Sequence, residues 1–225
     1  MTDQLSWREI FLRGHRTIPR TSWRSESRWK PSVPTFLVLI LGLSMFGFGE
    51  ALLVITGLGN SPWVVLSQGL TRQTGIDIGV TTFAVSVVVL LLWIPLKEKP
   101  GLGTISNIVV IAAVLDISIR YLPKVETLAV GIPVVIAGVL IVGLGSSLYL
   151  TCNLGPGPRD GLMTSLHNKT AVRVSRVRFT LEVIVLSIGY LLGGTVGLGT
   201  LLFAAGIGRA VALWLGVVSV LAQPK

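Results

Sequence analysis

The segment from Phe36 to Ile119 recurs without a gap ninety-six residues later, from Ile132 to Leu215, so the chain is one unit written twice. Gly47-Phe-Gly-Glu-Ala-Leu-Leu pairs with Gly143-Leu-Gly-Ser-Ser-Leu-Tyr, Leu58-Gly-Asn-Ser-Pro62 with Leu154-Gly-Pro-Gly-Pro158, and Gly101-Leu-Gly-Thr104 with Gly197-Leu-Gly-Thr200. Identity reaches roughly a quarter of the aligned positions, and a period longer than those of solenoid repeats marks a duplicated domain. Shared membrane composition would align leucines and valines. It would not place Pro62 on Pro158 and both Gly-Leu-Gly-Thr runs on one offset.

The repeated unit is too apolar for a soluble fold. The chain is 51% hydrophobic and 13% charged, with a mean hydropathy of +0.78, the composition of an all-α polytopic membrane protein. Apolar runs near residues 36–58, 79–96, 103–120, 129–151, 178–193 and 198–221 each approach the roughly 20 residues a helix needs to cross about 30 Å of hydrocarbon. Six spans, three per repeat, are expected. Residues 1–33 read as a basic, aromatic tail carrying Trp7, Phe11, Trp23 and Trp29, suited either to an anionic inner leaflet or to a flexible extension. Residues 34–123 and 124–225 read as the two membrane repeats of one integral domain. The polar, Arg-rich tail ahead of a full-length span carrying Glu50 argues against a cleaved signal peptide.

The net charge of +9 would fit nucleic acid if the basic residues formed one track. They sort by topology instead. The tail, Lys97, Lys99, the stretch from Arg159 to Arg178 and Lys225 fall on one side of alternating spans, against Arg72, Arg120 and Lys124 on the other. The positive-inside rule then puts both termini in the cytoplasm, with the bilayer and not a polynucleotide as partner. Three spans per repeat also reverse the second copy relative to the first. Inverted three-helix repeats recur in secondary transporters, with the site near the midplane at the repeat interface.

The segments Asn60–Leu70 and Pro156–Leu166 are too short to span and read as short helices led by Gly and Pro. Ser61 and Gly157 stand at N-cap positions, with Pro62 and Pro158 first in the helix. Such a segment is either a re-entrant hairpin or a surface-lying helix that seals the bundle. If re-entrant, its positive N-terminal end faces an anionic or carbonyl-bearing ligand. Asn60, Ser61, Pro62, Trp63, Pro158, Arg159 and Asp160 are therefore candidates for a substrate pathway, polar on the cytoplasmic side and aromatic outside. The plainer reading pairs Arg159 with Asp160, the latter capping its own helix.

Glu50, Asp116, Glu182 and Arg209 lie within predicted spans, where a central charge costs at least about 2.5–3.5 kcal/mol and is retained for a partner or a cavity. Glu50, following Gly47-Phe-Gly49, reads as a pathway residue. Asp116, Glu182 and Arg209 read as intramembrane charge-pair candidates, with Glu182 also able to reach the interface beside Arg178. The two histidines, His15 and His167, show no metal-ligand spacing and no acidic pair, so neither a metal, a cofactor nor enzymatic activity is expected. The Gly-Leu-Gly-Thr runs lack the Lys of a phosphate loop. Thr104 and Thr200 read as N-caps there, with the glycines turning the chain.

Gly57-Leu-Gly-Asn-Ser-Pro-Trp63, Leu102-Gly-Thr104, Gly155-Pro-Gly-Pro-Arg-Asp-Gly-Leu-Met163, the Arg178 to Glu182 spacing, and Leu192-Gly-Gly followed by Gly197-Leu-Gly-Thr200 together resemble the YczE-like family of bacterial multi-pass membrane proteins, and more distantly the YitT-like one. The resemblance covers nearly all of residues 36–215. It implies a protein of the bacterial cytoplasmic membrane, and accessory roles in processes such as peptide secondary-metabolite production. Two functions are expected: a small-solute transporter or exporter, which the repeat architecture favours, and as the alternative a non-transporting accessory or assembly factor; a homodimer or a partner membrane protein is a further expected partner.

Overall fold

A computed structural model describes residues 17–222; Trp7 and Phe11 lie outside them. The described residues form helices and no strand: α1 Val33–Thr56, α2 Pro62–Thr74, α3 Ile78–Leu91, α4 Trp93–Leu96, α5 Leu102–Tyr121, α6 Leu128–Thr151, α7 Pro158–Thr170, α8 Val174–Leu191 and α9 Leu198–Leu221. Only Leu92 separates α3 from α4, and the two run on as Ile78–Leu96.

Five helices, α1, α3 with α4, α5, α6 and α9, are long and apolar enough to cross a bilayer. The sixth expected span, α8, stands apart from them. Its 18 residues include Arg176, Arg178 and Glu182, and each charge would cost about 2.5–3.5 kcal/mol at mid-bilayer. The expected helix starts are close: α2 and α7 begin on Pro62 and Pro158, α3 and α8 on Ile78 and Val174, α5 and α9 on Leu102 and Leu198.

At the centre α1 packs on α6. A Cβ at Gly42 would lie 2.9 Å from the Gly145 carbonyl oxygen, and one at Gly49 would lie 2.8 Å from that of Gly138. This is the backbone-to-backbone approach that small residues give membrane helices. Helix α5 lies against α1 and α9 against α6.

The two halves are stitched by crossed contacts. The Gly199 N–H donates to the Leu58 carbonyl at 2.8 Å, and the Gly103 N–H donates to the Leu154 carbonyl at 2.8 Å. Each Leu-Gly turn is thus held by the start of a helix in the other half. Gly59 and Gly155, at φ of +112° and +102°, carry these turns. Thr104 and Thr200 are not N-caps as expected. They occupy the third helical position, and their hydroxyls accept the N–H groups of the N-caps Gly101 at 3.1 Å and Gly197 at 3.3 Å. Gly101 is glycine because a Cβ there would sit 2.2 Å from the Leu154 carbonyl oxygen. Close approach, and not chain turning, explains it.

Residues 17–32 are built into the bundle. The Trp23 indole N–H donates to Thr151 Oγ1 at 3.1 Å, the Asn153 amide donates to the Ser25 carbonyl at 2.9 Å, and the Ser22 N–H reaches the Ala222 carbonyl at 3.1 Å. This part of the tail is therefore not a free extension, and Trp29 is exposed on it. Trp23→Phe keeps the bulk and removes the donor. It is expected to lower stability by about 1 kcal/mol, read as a lower Tm of the purified protein.

These contacts define one end of the bundle, with the tail, the loop before α5, the end of α6 and Ala222. The Asn60 N–H bonds the Thr195 carbonyl at 3.3 Å and the Val125 N–H bonds the Ile55 carbonyl at 3.0 Å, defining the other end. Helix α8 runs between the same two ends. The Lys169 ammonium near its start bonds the Pro95 carbonyl at 2.6 Å, and the Thr195 N–H after its end bonds Gln68 Oε1 at 2.7 Å.

Candidate functional site

Helices α2 and α7 point their N-termini inward. Pro62, Trp63, Val64 and Val65 are buried while Arg72 to Thr74 are exposed, and Pro158, Gly161, Leu162 and Met163 are buried while Asn168 to Thr170 are exposed. A helix lying on the surface would bury one face along its whole length. These two bury their first turns and expose their last, as inserted segments do.

Between them lies a cavity of about 260 Å³. Its polar wall carries Glu50, Ser61, Arg159, Asp160, Arg178 and Glu182, and its apolar wall includes Phe46, Ile108, Ile111, Phe203, Ile207 and Val211. Glu50, at 1% exposure, is held by the Ser61 hydroxyl, which lies 2.8 Å from both carboxylate oxygens and shares its proton across them. Ser61 occupies the N-cap position of α2, yet its hydroxyl serves Glu50 and not the helix end.

Trp63 and Arg159 meet in this cavity. The Arg159 guanidinium carbon lies 5.2 Å from the Trp63 ring centroid, within cation–π range. The expected polar and aromatic gates on opposite faces are therefore one contact. Among the described residues the Arg159 guanidinium has no hydrogen-bond acceptor and no ion-pair partner besides that ring. The charges of Glu50 and Arg159 act on each other, although no ion pair within 4.0 Å joins them. Asp160 neither pairs with Arg159 nor caps its helix. Its carboxylate accepts the hydroxyl proton of the buried Tyr149.

The remaining candidates divide. Pro62 lines the cavity, whereas Pro158 lies behind it, its carbonyl accepting the Trp93 indole N–H at 3.0 Å. Asn60 is outside the cavity and staples the chain, donating to Gln68 Oε1 at 3.0 Å. The three charges expected within spans do not combine with one another. Asp116 pairs with Arg120 at 2.8 Å and Glu182 with Arg178 at 2.8 Å. Arg209 is exposed on α9 and, among the described residues, has no partner.

Sequence reasoning missed Tyr149, Thr82, Ser86, Asn107 and Ser146, all of which line the cavity. A signal existed in the duplication. Ser146 stands ninety-six residues after Glu50, and Thr82 and Ser86 stand ninety-six before Arg178 and Glu182. The same offset relates Trp63 to Arg159, Phe46 to Val142, Ile111 to Ile207 and Asn107 to Phe203, every one of them on the cavity wall.

Comparison with known proteins follows the same boundaries. Residues 33–215 match DUF6198, a family of unknown function. An "Uncharacterized protein" of Haemophilus influenzae is 46% identical over 204 residues, covering 91% of this chain and 94% of the relative. The "Uncharacterized membrane protein YczE" of Bacillus subtilis is 30% identical over 178 residues, 79% of this chain and 80% of its own length. The "Uncharacterized protein YyaS" of the same organism is 24% identical over 166 residues, 72% of this chain and 83% of its own length. No solved structure matches.

Proposed function

Because the chain belongs to the DUF6198 family and is a YczE-like membrane protein, a grouping that names no reaction, we propose from its geometry that it carries a small solute across the bacterial cytoplasmic membrane. The observation that carries this reading is the convergence of two inserted helix N-termini on one cavity beside a buried carboxylate. Half-helix N-termini concentrate positive potential, and an arrangement of this kind at the interface of two inverted repeats is how secondary transporters hold a substrate midway across the bilayer.

The architecture in this reading is six spans in two inverted three-span units, with α8 as the sixth. Cavity-lining residues at one constant offset support it, since a pathway on the axis between two related halves draws equivalent positions from both. Two charges of α8 are tolerable in a span because Arg178 and Glu182 pair and face the cavity, and Arg176 sits in the first turn, within reach of the interface. Both termini face the cytoplasm, consistent with Arg20, Arg24, Arg28, Lys97 and Lys99 gathering at the end that holds the tail. The site binds and passes its solute without transforming it.

The test is to delete the gene, profile metabolites inside and outside the cell, and complement with variants. Wild-type protein is expected to restore the altered solute. Glu50→Gln and Arg159→Met are each expected to lower its flux at least tenfold while the protein stays in the membrane. Full complementation by both variants would instead favour an accessory factor. A cysteine scan across Ser61–Gln68 and Gly157–Ser165 checks the route, with labelling expected down to positions 63 and 159. Burial pushes the native Cys152 thiol up to about 12, so it stays a protonated, unreactive thiol in this experiment.

A further inference from the structure

We infer that the ligand of this cavity is a small zwitterionic amphiphile and that it enters from the lipid, between α8 and α9; the inference rests on the transport reading above. Two independent observations carry it, one from the shape of the bundle and one from the bonding inside the cavity.

The first is a missing wall. In the first half α3 packs tightly on α5: the Gly79 N–H donates to Asp116 Oδ1 at 3.3 Å, a Cβ on Gly79 would fall 2.4 Å from the Asp116 Cβ, and Arg120 bridges Asp116 and Asp77 at 2.8 Å each. Ala112 is 4% exposed at that contact. Their counterparts ninety-six residues on are α8 and α9, and these part. Helix α8 packs on α2 and α7, and α9 on α6. Ser175, the counterpart of Gly79, and Gly208, the counterpart of Ala112, are both exposed, and a Cβ on Gly208 would meet nothing within 4 Å. Arg178 and Glu182 face Phe203, Ile207 and Gly208 across the cavity itself. With both helices in the membrane, the gap between them faces acyl chains.

The second is the pattern of unmet bonds. Among the described residues the Arg159 guanidinium and the Asn107 amide lack hydrogen-bond partners, and Thr82 Oγ1 is buried without one. A planar guanidinium with free N–H groups matches a carboxylate or a phosphate. An anion alone would add to a wall that already carries three carboxylates, Glu50, Asp160 and Glu182, against two guanidiniums, Arg159 and Arg178. A ligand that brings a cation with its anion keeps the balance: the anionic group lies on Arg159 and the cationic group faces Glu50 and Asp160. Its apolar body lies on Phe46, Ile108, Phe203 and Ile207. The volume of about 260 Å³ equals about nine waters at ~30 Å³ each, room for roughly ten non-hydrogen atoms.

The experiment uses the full chain in phosphatidylglycerol nanodiscs, with empty nanodiscs subtracted. Four probes are compared by equilibrium dialysis: 2-aminooctanoate, octanoate, octylamine and glycine. The expected result is that 2-aminooctanoate binds at least tenfold tighter than each of the others. Glu50→Gln should erase its margin over octanoate, and Arg159→Met its margin over octylamine. Gly208→Phe, which the open space tolerates, should slow 2-aminooctanoate association at least fivefold. Equal binding of octanoate overturns the zwitterion, equal binding of glycine overturns the amphiphile, and an unchanged rate in Gly208→Phe overturns the lateral route. If Glu50-dependent solute flux persists in cells while these fail, the inference falls alone; if flux fails too, the transport reading falls with it.

Discussion

Gly59→Ala is expected to cost about 2–5 kcal/mol of stability, and Gly155→Ala a similar amount, whereas Gly57→Ala and Gly75→Ala should each cost only about 1–2. All four glycines have positive φ, +112°, +102°, +63° and +72° in that order. A side chain in that region carries about 1–2 kcal/mol of backbone strain at every one of these positions. What differs is the space. A Cβ at Gly57 or Gly75 meets nothing within 4 Å, while one at Gly59 lies 2.6 Å from the Gly197 nitrogen and Thr200 Oγ1, and one at Gly155 lies 2.8 Å from Thr104 Oγ1. Overpacking against backbone that is itself hydrogen-bonded adds about 1–3 kcal/mol. Thermal unfolding of the purified protein separates the two classes. If Gly59→Ala loses no more than Gly57→Ala, the crossed contacts between the halves yield easily and do not hold them together.

That cradle is half legible in the sequence. The Leu-Gly and Gly-Leu-Gly-Thr runs stand out because they repeat, and their glycines imply tight backbone, but nothing in the sequence says that each turn seats on the other copy's helix. Pairing across halves is a property of the three-dimensional exchange, invisible to an alignment of one half with the other. The helix starts at Pro62, Pro158 and Leu198 are legible for a local reason, since Pro and Gly act through their own backbone. Of the charge pairs only one is: Glu182 reads as lying beside Arg178, whereas Arg120 goes unnoticed beside Asp116. Asp116 finds Arg120 and Glu182 finds Arg178, each one helical turn away, so the partners are local, whereas depth along each span suggests pairing between helices with Arg209. The charges of the loops flanking Trp63 and Arg159 put these two residues at opposite faces. Both helices bury their first turns in the bundle, and there the two side chains meet.

Arg159→Met should destabilise the protein by about 1.5–4 kcal/mol, and adding Glu50→Gln to it should restore about 1–2 kcal/mol of that loss without restoring the solute flux proposed above. Arg159 is the cation whose charge acts on the buried Glu50, and its loss leaves that carboxyl group without an opposing charge. No ion pair within 4.0 Å joins them, so the attraction is bounded at about 4 kcal/mol for an effective dielectric near 20, and with Arg159 only half-buried the part lost is about 1–2 kcal/mol. Loss of the stacking of Arg159 on Trp63 adds about 0.5–2 kcal/mol that the second substitution does not return. The neutral amide that Glu50→Gln introduces keeps a carbonyl oxygen for the Ser61 proton, so the double variant has no orphaned charge. Its coupling energy, read as the double-variant loss less the two single losses, should be about 1–3 kcal/mol in favour of the pair. Activity separates structure from function. If the pair exists only to hold α1 against α7, the stable double variant carries its solute as the parent does. If these side chains hold the solute, the double variant is well folded and inactive.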